Sequence, residues 1–419
     1  MNKYAVTYYH PFFLKSIILF VVCTFVCGAE IKAQHTETTY YDDVPGQVRE
    51  TWTYEDADGK NVRHGEYRIY YDNGTLWQEG TYEHGNMVGI WKDYHYNGKL
   101  KQQLPYEQGR LQGRLKVYYE SGSLYQEIPY KNDLVNGEVK IFYEDGSLRE
   151  KTDYVDGHLH GESESYFENG NRHFIKTIRH DLEQGSQQVW FDNGHIREKS
   201  FKRNGVYDSL FTGYYKDGPD GSVQKICFYE NGQLHGPFQG FHPDGSLMNR
   251  CNYVHNKIEG LYESFYSATV DSASGKKEIP YEKGHYVNGE RDGVWYFYHP
   301  NGQLYMQGQY SKGMYTGEWL LYYPNGKPKQ TGSFSEGKES GMWFFYHPDG
   351  SLNRKGNFAN GVRSGQWVVY YPDGTTKASM SYDDKGEPHG TYRVFDEEGH
   401  LTEEAEYEHG EKKVEQSPE

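Results

Sequence analysis

Cys227 and Cys251 are the cysteines whose spacing can be tested most directly for chemistry. Each lies two residues before a tyrosine, Tyr229 or Tyr253, and the two cysteines are 24 residues apart. If they occupy equivalent positions in adjacent two-stranded units, their Cα atoms are about 9.6 Å apart. A disulfide needs Cα atoms within about 7 Å of each other. We therefore predict that the two thiols are not joined and that each fills a place where other units carry glycine.

The 19 histidines raise the question of a metal site. His299 and His347 occupy the same place in the repeating pattern, but they are two units apart, which separates them by roughly 19 Å. His158 and His160 form an H-x-H stretch with no third ligand evident near them in the sequence. We assign no metal ligand and no cofactor from the sequence.

Catalytic motifs are absent from the sequence. It contains no G-x-S-x-G nucleophile turn, no H-E-x-x-H zinc motif and no phosphate-binding glycine loop. Carboxylates are plentiful, but no pair stands out from the repeated background as a glycosidase pair would have to. We expect a protein that is not an enzyme.

These residues are positioned by one unit that recurs along the chain. If the first glycine of each unit is counted as position zero, most units are 24 residues long. The position-zero glycines are Gly65, Gly89, Gly113, Gly137, Gly161, Gly185, Gly213, Gly236, Gly260, Gly293, Gly317, Gly341, Gly365 and Gly390. Longer intervals before Gly213 and Gly293 predict insertions near residues 205–222 and 267–277.

Each unit has the pattern of a β-hairpin. An Asn-Gly or Asp-Gly pair follows an aromatic strand, and this combination is a strong short-range hairpin signal. We predict an all-β fold, an elongated, solenoid-like single antiparallel sheet of about fourteen 24-residue hairpins, over residues 65–411. An extension with a degenerate repeat, 34–64, precedes this array, and a charged tail, 412–419, follows it.

The register of the hairpin follows from its apolar residues. They share one face if position two lies opposite position fifteen and position six opposite position eleven, which requires a turn with an even number of residues. Large indoles then face glycines, whose bare backbone they cover. The predicted structural pairs are Trp295 with Gly308, Trp319 with Gly332 and Trp343 with Gly356, while Trp367 and Trp91 face Met380 and Leu104. A three-residue bulged loop also suits Pro-Asn/Asp-Gly and would flip the faces, but the hydrophobic pattern favours the even turn.

A second aromatic row occupies position five, on the face opposite the tryptophans. It consists of Tyr298, Tyr322, Tyr346 and Tyr370. Tyrosines beside polar neighbours suit a protein partner or stacking on sugar rings. The alternative is a purely structural row that holds the sheet together. We take these four as candidate partner-binding residues.

The N-terminal 33 residues have the pattern of a secretory signal. Lys3 and Lys15 precede an apolar run, 16–28, and Ala33 stands at a suitable cleavage position. The run is short for a bilayer span, so we predict cleavage near Ala33, export to the periplasm or cell surface, and no stable membrane span in the mature chain. The net charge of −16 argues against nucleic acid as a partner.

The recurring unit G-x-W-x-x-Y-Y-x-N-G-x-L, over about residues 65–411, resembles the bacterial variant of the MORN repeat. Proteins of this kind are commonly labelled YwqK-family antitoxins. The resemblance implies a hairpin solenoid with a non-enzymatic binding role, and the label implies neutralisation of a toxin. We expect an exported scaffold that binds a protein partner, with an antitoxin-like protein and a surface glycan binder as the alternatives.

Overall fold

The chain folds entirely as β-structure in the part that can be described. The computed structural model describes residues 34–219, 221–267, 270–271, 275–276 and 278–413. This part contains no helix, and 36 of its 38 strands belong to one antiparallel sheet. The prediction of an all-β sheet of repeated hairpins is confirmed. The predicted signal peptide, 1–33, lies outside the described residues, as does most of the predicted tail.

The chain divides into two compact units, and the first ends at Gly194. Its strands are β1 (His35–Tyr40), β2 (Val48–Ala57), β3 (Lys60–Tyr70), β4 (Leu76–Glu83), β5 (Asn86–Tyr94), β6 (Leu100–Glu107), β7 (Arg110–Leu111), β8 (Gly113–Tyr118), β9 (Leu124–Lys131), β10 (Leu134–Val135), β11 (Gly137–Phe142), β12 (Leu148–Val155), β13 (His158–Tyr166), β14 (Arg172–Arg179), β15 (Leu182–Glu183) and β16 (Gly185–Trp190).

The second unit begins at His195. Its strands are β17 (Ile196–Arg203), β18 (Val206–Tyr207), β19 (Ser209–Tyr214), β20 (Val223–Glu230), β21 (Gln233–Phe241), β22 (Leu247–Val254), β23 (Lys257–Ile258), β24 (Gly260–Phe265), β25 (Val270–Asp271), β26 (Gly275–Lys276), β27 (Pro280–Val287), β28 (Glu290–Tyr298), β29 (Leu304–Ser311), β30 (Met314–Tyr322), β31 (Pro328–Ser335), β32 (Lys338–Tyr346), β33 (Leu352–Ala359), β34 (Val362–Tyr370), β35 (Thr376–Tyr382), β36 (Gly390–Phe395), β37 (Leu401–Glu408) and β38 (Glu411–Lys412). The short strands β25 and β26 pair only with each other among the described residues.

Two kinds of turn alternate along the chain, one between repeats and one within each repeat. Between repeats, a two-residue turn such as Lys312-Gly313 has positive φ at both residues, 48° and 78°, which matches the twist of the strands that it joins. Within a repeat, the turn is longer, and its glycine, for example Gly326, donates its N–H to the carbonyl of Tyr323 at 2.9 Å. Each strand is therefore antiparallel to the next.

The hairpin register is partly as predicted. Trp295 pairs with Gly308, so position two does lie opposite position fifteen. Position six does not lie opposite position eleven, because Tyr298 at position five takes Leu304 as its partner. The predicted even turn is wrong. The loop has three residues, 300–302, and a bulge after Phe297 shifts the register back. The odd-numbered loop and the bulge each shift the register by one residue, and the two shifts cancel. The apolar residues therefore still share a face.

One repeat boundary differs from the prediction. Position zero of the seventh repeat is Ser209, not Gly213, because Ser209 pairs with Tyr229 as Gly293 pairs with Tyr310. Ser209 has a φ of 73°, in the left-handed region that normally favours glycine. The 24-residue spacing from Gly185 is thus unbroken, and the added residues fall in the following turn.

Candidate functional site

The two faces of the sheet carry different chemistry in residues 290–382. Successive side chains of a strand point to opposite faces, so Trp295 and Phe297 share one face and Tyr296 and Tyr298 share the other. Trp295 and Phe297 are buried, whereas Tyr296 and Tyr298 are half-buried. We refer to these as the tryptophan face and the tyrosine face.

The tryptophan face is held together by contacts between consecutive repeats. The predicted pairings of Trp319 with Gly332 and of Trp343 with Gly356 are present in the strand register. The ring that covers each glycine, however, comes from the next repeat. A Cβ atom placed on Gly332 would lie 2.0 Å from the ring of Trp343, and one on Gly308 would lie 2.0 Å from the ring of Trp319.

Indole N–H groups extend this contact at some of the repeats. The indole of Trp295 donates to the carbonyl of His285 at 3.2 Å, and that of Trp367 donates to the carbonyl of Asn357 at 3.1 Å. Both acceptors immediately follow the glycine that the ring covers, Gly284 or Gly356. The tryptophan face therefore packs as a core between consecutive repeats.

The predicted tyrosine row lies on the tyrosine face. Tyr298, Tyr322, Tyr346 and Tyr370 occupy equivalent strand positions, and all four are half-buried. Lysines accompany two of them: the ammonium group of Lys283 is 5.9 Å from the ring centre of Tyr298, and that of Lys355 is 5.7 Å from that of Tyr370. The row combines aromatic surface with nearby positive charge.

The backbone of this row is fixed by a set of bonds that sequence reasoning missed. The side chain at position six of one repeat donates to the carbonyl at position five of the next, over 2.7 to 3.2 Å. We call this set the position-six ladder. Its donors are Tyr41, Tyr71, Tyr119, Tyr143, Tyr215, His242, Tyr266, His299, Tyr323 and Tyr371. The signal for it was the recurrence of tyrosine or histidine at position six.

Position three changes along the chain, and this change defines the candidate site. In the first unit it is basic in four consecutive repeats, at Arg68, Lys92, Lys116 and Lys140. In the second unit four consecutive repeats carry apolar or aromatic residues there instead. Together with the tyrosine row they form the aromatic stripe, which consists of Tyr296, Tyr298, Leu320, Tyr322, Phe344, Tyr346, Val368 and Tyr370.

The aromatic stripe has defined ends and exposed apolar neighbours. Charged residues occupy position three in the repeats on either side, at Glu263 and Arg393, and each forms an ion pair with a neighbouring strand. Val294 and Met342, at position one on the same face, are 41% and 49% exposed. The stripe is therefore a local apolar surface on an otherwise charged face.

The same face in the first unit is an ion-pair network. Lys92 lies 3.2 Å from Glu79, and the Tyr94 hydroxyl donates to Glu79 at 2.8 Å. Burial and the bond to Glu79 raise the pKa of Tyr94 to about 12. Burial alone would raise the pKa of Glu79, but hydrogen bonds from Tyr94 and Lys92 outweigh it and lower that pKa. Charges that are satisfied internally leave little reason for a partner to bind there.

The two cysteines lie where the sequence placed them. Cys227 pairs with Phe211 and Cys251 pairs with Phe238, so both occupy position fifteen of adjacent repeats. Both thiols are free. Burial raises the pKa of Cys251 to about 11. A thiol with so high a pKa is a poor nucleophile at neutral pH, which gives it a packing role.

Two clusters of potential metal ligands occur among the described residues. One consists of Glu55, His64 and His84, and the other of Asp383, Glu387 and His409. The histidines singled out from the sequence have other roles: His299 belongs to the position-six ladder, and His158 lies 2.8 Å from Asp181.

Comparison with protein-family models gives matches to one described as MORN repeat variant. The matched segments cover just over half of the chain. They are residues 63–84, 87–108, 111–132, 135–156, 159–177, 234–255, 291–312, 315–336, 339–360 and 388–409. A search of curated protein sequences finds no match. The described residues offer no helix with the length and apolar character that crossing a bilayer would require.

Two solved structures show distant likeness. The crystal structure of TcdB2-TccC3-Cdc42 is 11% identical with a TM-score of 0.14, and the alignment covers 87% of this chain and 20% of that chain. The crystal structure of TcdB2-TccC3 without its hypervariable C-terminal region is 12% identical with a TM-score of 0.16. That alignment covers 93% of this chain and 27% of that chain. The chain thus spans only about a fifth to a quarter of those chains, and such TM-scores carry no argument about function.

Proposed function

The chain belongs to the MORN repeat variant family, and on this basis we propose that it is a non-enzymatic scaffold that binds a protein partner through the aromatic stripe. The observation that carries the proposal is the change at position three, from lysine and arginine in the first unit to Tyr296, Leu320, Phe344 and Val368 in the second. Four consecutive repeats then present apolar and aromatic side chains on a face that elsewhere carries ion pairs.

The chemistry of the stripe favours a protein over a small ligand. Its eight residues are half-buried and spread over four hairpins, so the surface is broad and shallow. Tyrosine and phenylalanine are enriched where proteins bind one another, because they provide a large contact area at low entropic cost. Lys283 and Lys355 lie beside the stripe, which suits a partner whose apolar residues are flanked by acidic ones.

The proposal includes export of the chain after removal of residues 1–33. The basic residues and apolar run of that segment are its support. A toxin is one kind of protein partner that this scaffold would accommodate, in keeping with the antitoxin label of the resembling proteins. A surface glycan is a second candidate, favoured by the regular row of four tyrosines, because sugar rings stack on aromatic faces.

The test is affinity capture of partners from the envelope fraction with purified wild-type protein and two stripe variants. One variant is Tyr322→Ala/Tyr346→Ala/Tyr370→Ala. The other is Leu320→Lys/Val368→Lys, which places at position three the residue that the first unit carries there. We expect each variant to reduce partner capture at least tenfold, a loss of about 1.4 kcal/mol or more.

The matched control is Tyr94→Ala/Tyr118→Ala/Tyr166→Ala, which removes position-five tyrosines from the charged face of the first unit. It should capture the partner as well as wild type. Circular dichroism and thermal unfolding confirm that each variant is folded. Equal capture by all variants would refute the stripe as the binding surface. Binding to a glycan array that is lost only in the stripe variants would favour the glycan.

A further inference from the structure

Four pairs of histidine rings lie close together, in tilted or edge-on contact, at equivalent places in the repeats. In each pair the first histidine immediately precedes the position-zero glycine, and the second lies twenty residues later, in the turn that ends the repeat. The ring centres are 4.9 to 5.2 Å apart. The pairs are His64 with His84, His160 with His180, His235 with His255, and His389 with His409.

A carboxylate accompanies three of these four pairs. It comes from the residue that directly follows the last tyrosine in the second strand of the preceding repeat. This residue is Glu55, Glu230 or Asp383 for three of the pairs, and Val155 for the pair of His160 and His180. The structure therefore contains the same arrangement with and without its acid.

The geometry is most complete at Glu55. Its side chain is only 6% exposed, and both imidazoles turn a nitrogen towards it. Nδ1 of His64 is 3.7 Å from Oε1 of Glu55, and Nδ1 of His84 contacts the same oxygen more closely. One ligand atom from each of the three residues lies within 4.8 Å of the others. A nearby positive charge stabilises a buried carboxylate, and a bound metal ion would supply one.

The cluster at the C-terminal end has one histidine and two acids, and Glu387 takes the place of the first histidine of the pair. Oδ2 of Asp383 is 2.8 Å from Nδ1 of His409, and Glu387 completes the set within 4.8 Å. The cluster at Glu230 is incomplete. His235 is 3.6 Å from Glu230, but His255 is engaged by Gln233 at 3.1 Å.

We propose that Glu55, His64 and His84 bind a divalent transition metal ion of the zinc type, and that Asp383, Glu387 and His409 form a second site of the same kind. Imidazole nitrogen together with carboxylate oxygen is a donor set that Zn²⁺ prefers over Mg²⁺ or Ca²⁺. In the first site the ligands come from β2, from β3 and from the turn after β4, so a bound ion would tie adjacent hairpins together. This inference is independent of the aromatic stripe and its partner.

The recurrence of the pairs provides the test. The purified protein is stripped with EDTA, and Zn²⁺ binding is followed by calorimetry and by thermal unfolding, with Mg²⁺ as the control ion. We expect wild type to bind two Zn²⁺ ions and to gain several degrees in Tm, because a ligand that binds only the folded state stabilises it. His84→Ala should bind one ion, while His180→Ala, at the equivalent place in the pair without a carboxylate, should still bind two.

Val155→Glu supplies the missing acid beside His160 and His180 and should add one Zn²⁺ ion. Glu55→Gln keeps the shape of the first site and should lose one, which guards against a folding defect in the alanine variant. Circular dichroism of each variant reports on the fold. Absence of Zn²⁺ binding to wild type, or equal stoichiometry in His84→Ala and His180→Ala, would overturn the proposal.

Discussion

At the scale of single residues, the tryptophan at position two covers a glycine of the repeat before its own. The side chain of Trp343 is only 1% exposed. Its ring lies on Gly332 of the preceding repeat and against the ring of Phe334, whose centre is 5.2 Å away. Each glycine at position fifteen is therefore a receptor for a neighbouring indole. The pair joins two repeats, not the two strands of one hairpin.

Gly332→Ala should destabilise the protein by about 1–3 kcal/mol, the usual range for overpacking a filled core. The added methyl group would meet the Trp343 ring at 2.0 Å, so the indole or the strand has to shift. Chemical denaturation of both proteins measures the difference. Ser333→Ala, on the adjacent residue and the opposite face, is the control and should change stability much less. An unchanged midpoint in Gly332→Ala would show that the indole does not occupy this place.

At the scale of the hairpin, the position-six ladder connects turn to turn. The hydroxyl of Tyr323 crosses from its own hairpin to the carbonyl of Tyr346 at 2.8 Å. The ladder is interrupted at Phe167 and Phe191, which have no hydroxyl group to donate. The cohesion between hairpins is thus the sum of strand pairing, indole packing and, at the ten ladder positions, one polar bond at the turn.

Tyr323→Phe should lower the free energy of unfolding by about 1 kcal/mol, the typical net value of a partly buried hydrogen bond. The ring and its packing are retained, so the loss reports on the hydroxyl alone. The converse variant, Phe167→Tyr, adds a donor where the ladder lacks one and should not destabilise. Urea unfolding measures both. If Tyr323→Phe matched wild type, the ladder would contribute nothing to stability.

The hairpin could be predicted from sequence because its signals are local. A glycine-marked turn and alternating apolar residues determine that Trp319 lies opposite Gly332. Which indole covers Gly332 could not be predicted, because the ring of its own repeat, Trp319, and that of the next repeat, Trp343, both lie on a strand adjacent to it. The boundary at Ser209 was missed for a related reason: the left-handed backbone is required there, but glycine is only its usual occupant.

The candidate sites were less predictable than the fold. The tyrosine row could be predicted from strand alternation, but it supplies only four of the eight residues of the aromatic stripe. The change at position three is visible in the sequence only when the repeats are compared column by column. The histidine pairs come from the two ends of a repeat, so examining neighbouring histidines such as His158 and His160 did not reveal them.

At the scale of the whole molecule, the acidic charge of the chain is concentrated partly in turns that use their aspartates structurally. Hydrogen bonds from Ser147 and from Ser351 lower the pKa of Asp145 and of Asp349, and a bond from His409 lowers that of Asp383 to about 2. Asp181, Asp373 and Asp396 also have a lowered pKa because they accept hydrogen bonds.

We expect stability to fall as the pH is lowered from about 4 towards 2. A carboxyl group whose pKa is lower in the folded state stabilises the fold above its unfolded pKa, roughly 3.9 for aspartate, and this contribution is lost as the pH passes through the folded value. Burial raises the pKa of Glu282, which acts in the opposite sense, but it is one group against the six aspartates. Urea unfolding from pH 7 to pH 2.5 measures the trend.

Asp349→Asn provides the matched control for this trend. Asparagine already occupies the equivalent turn position at Asn325 and accepts the same backbone N–H there, so the variant should be nearly as stable as wild type at pH 7. Because it cannot titrate, its stability should fall less steeply in acid. A pH dependence as steep as that of wild type would assign the acid sensitivity to other groups.

The contact of each indole with the preceding glycine has a consequence for how such a chain can change length. Gly308 and Gly332 are each covered by the indole of the following repeat, so excision of residues 317–340 would bring Trp343 to Gly308, which Trp319 covers now. The new junction would be built like the old one. Whole 24-residue blocks can therefore be gained or lost by duplication and deletion, whereas an insertion of any other length has to be accommodated within a turn, as it is between Tyr266 and Ile279.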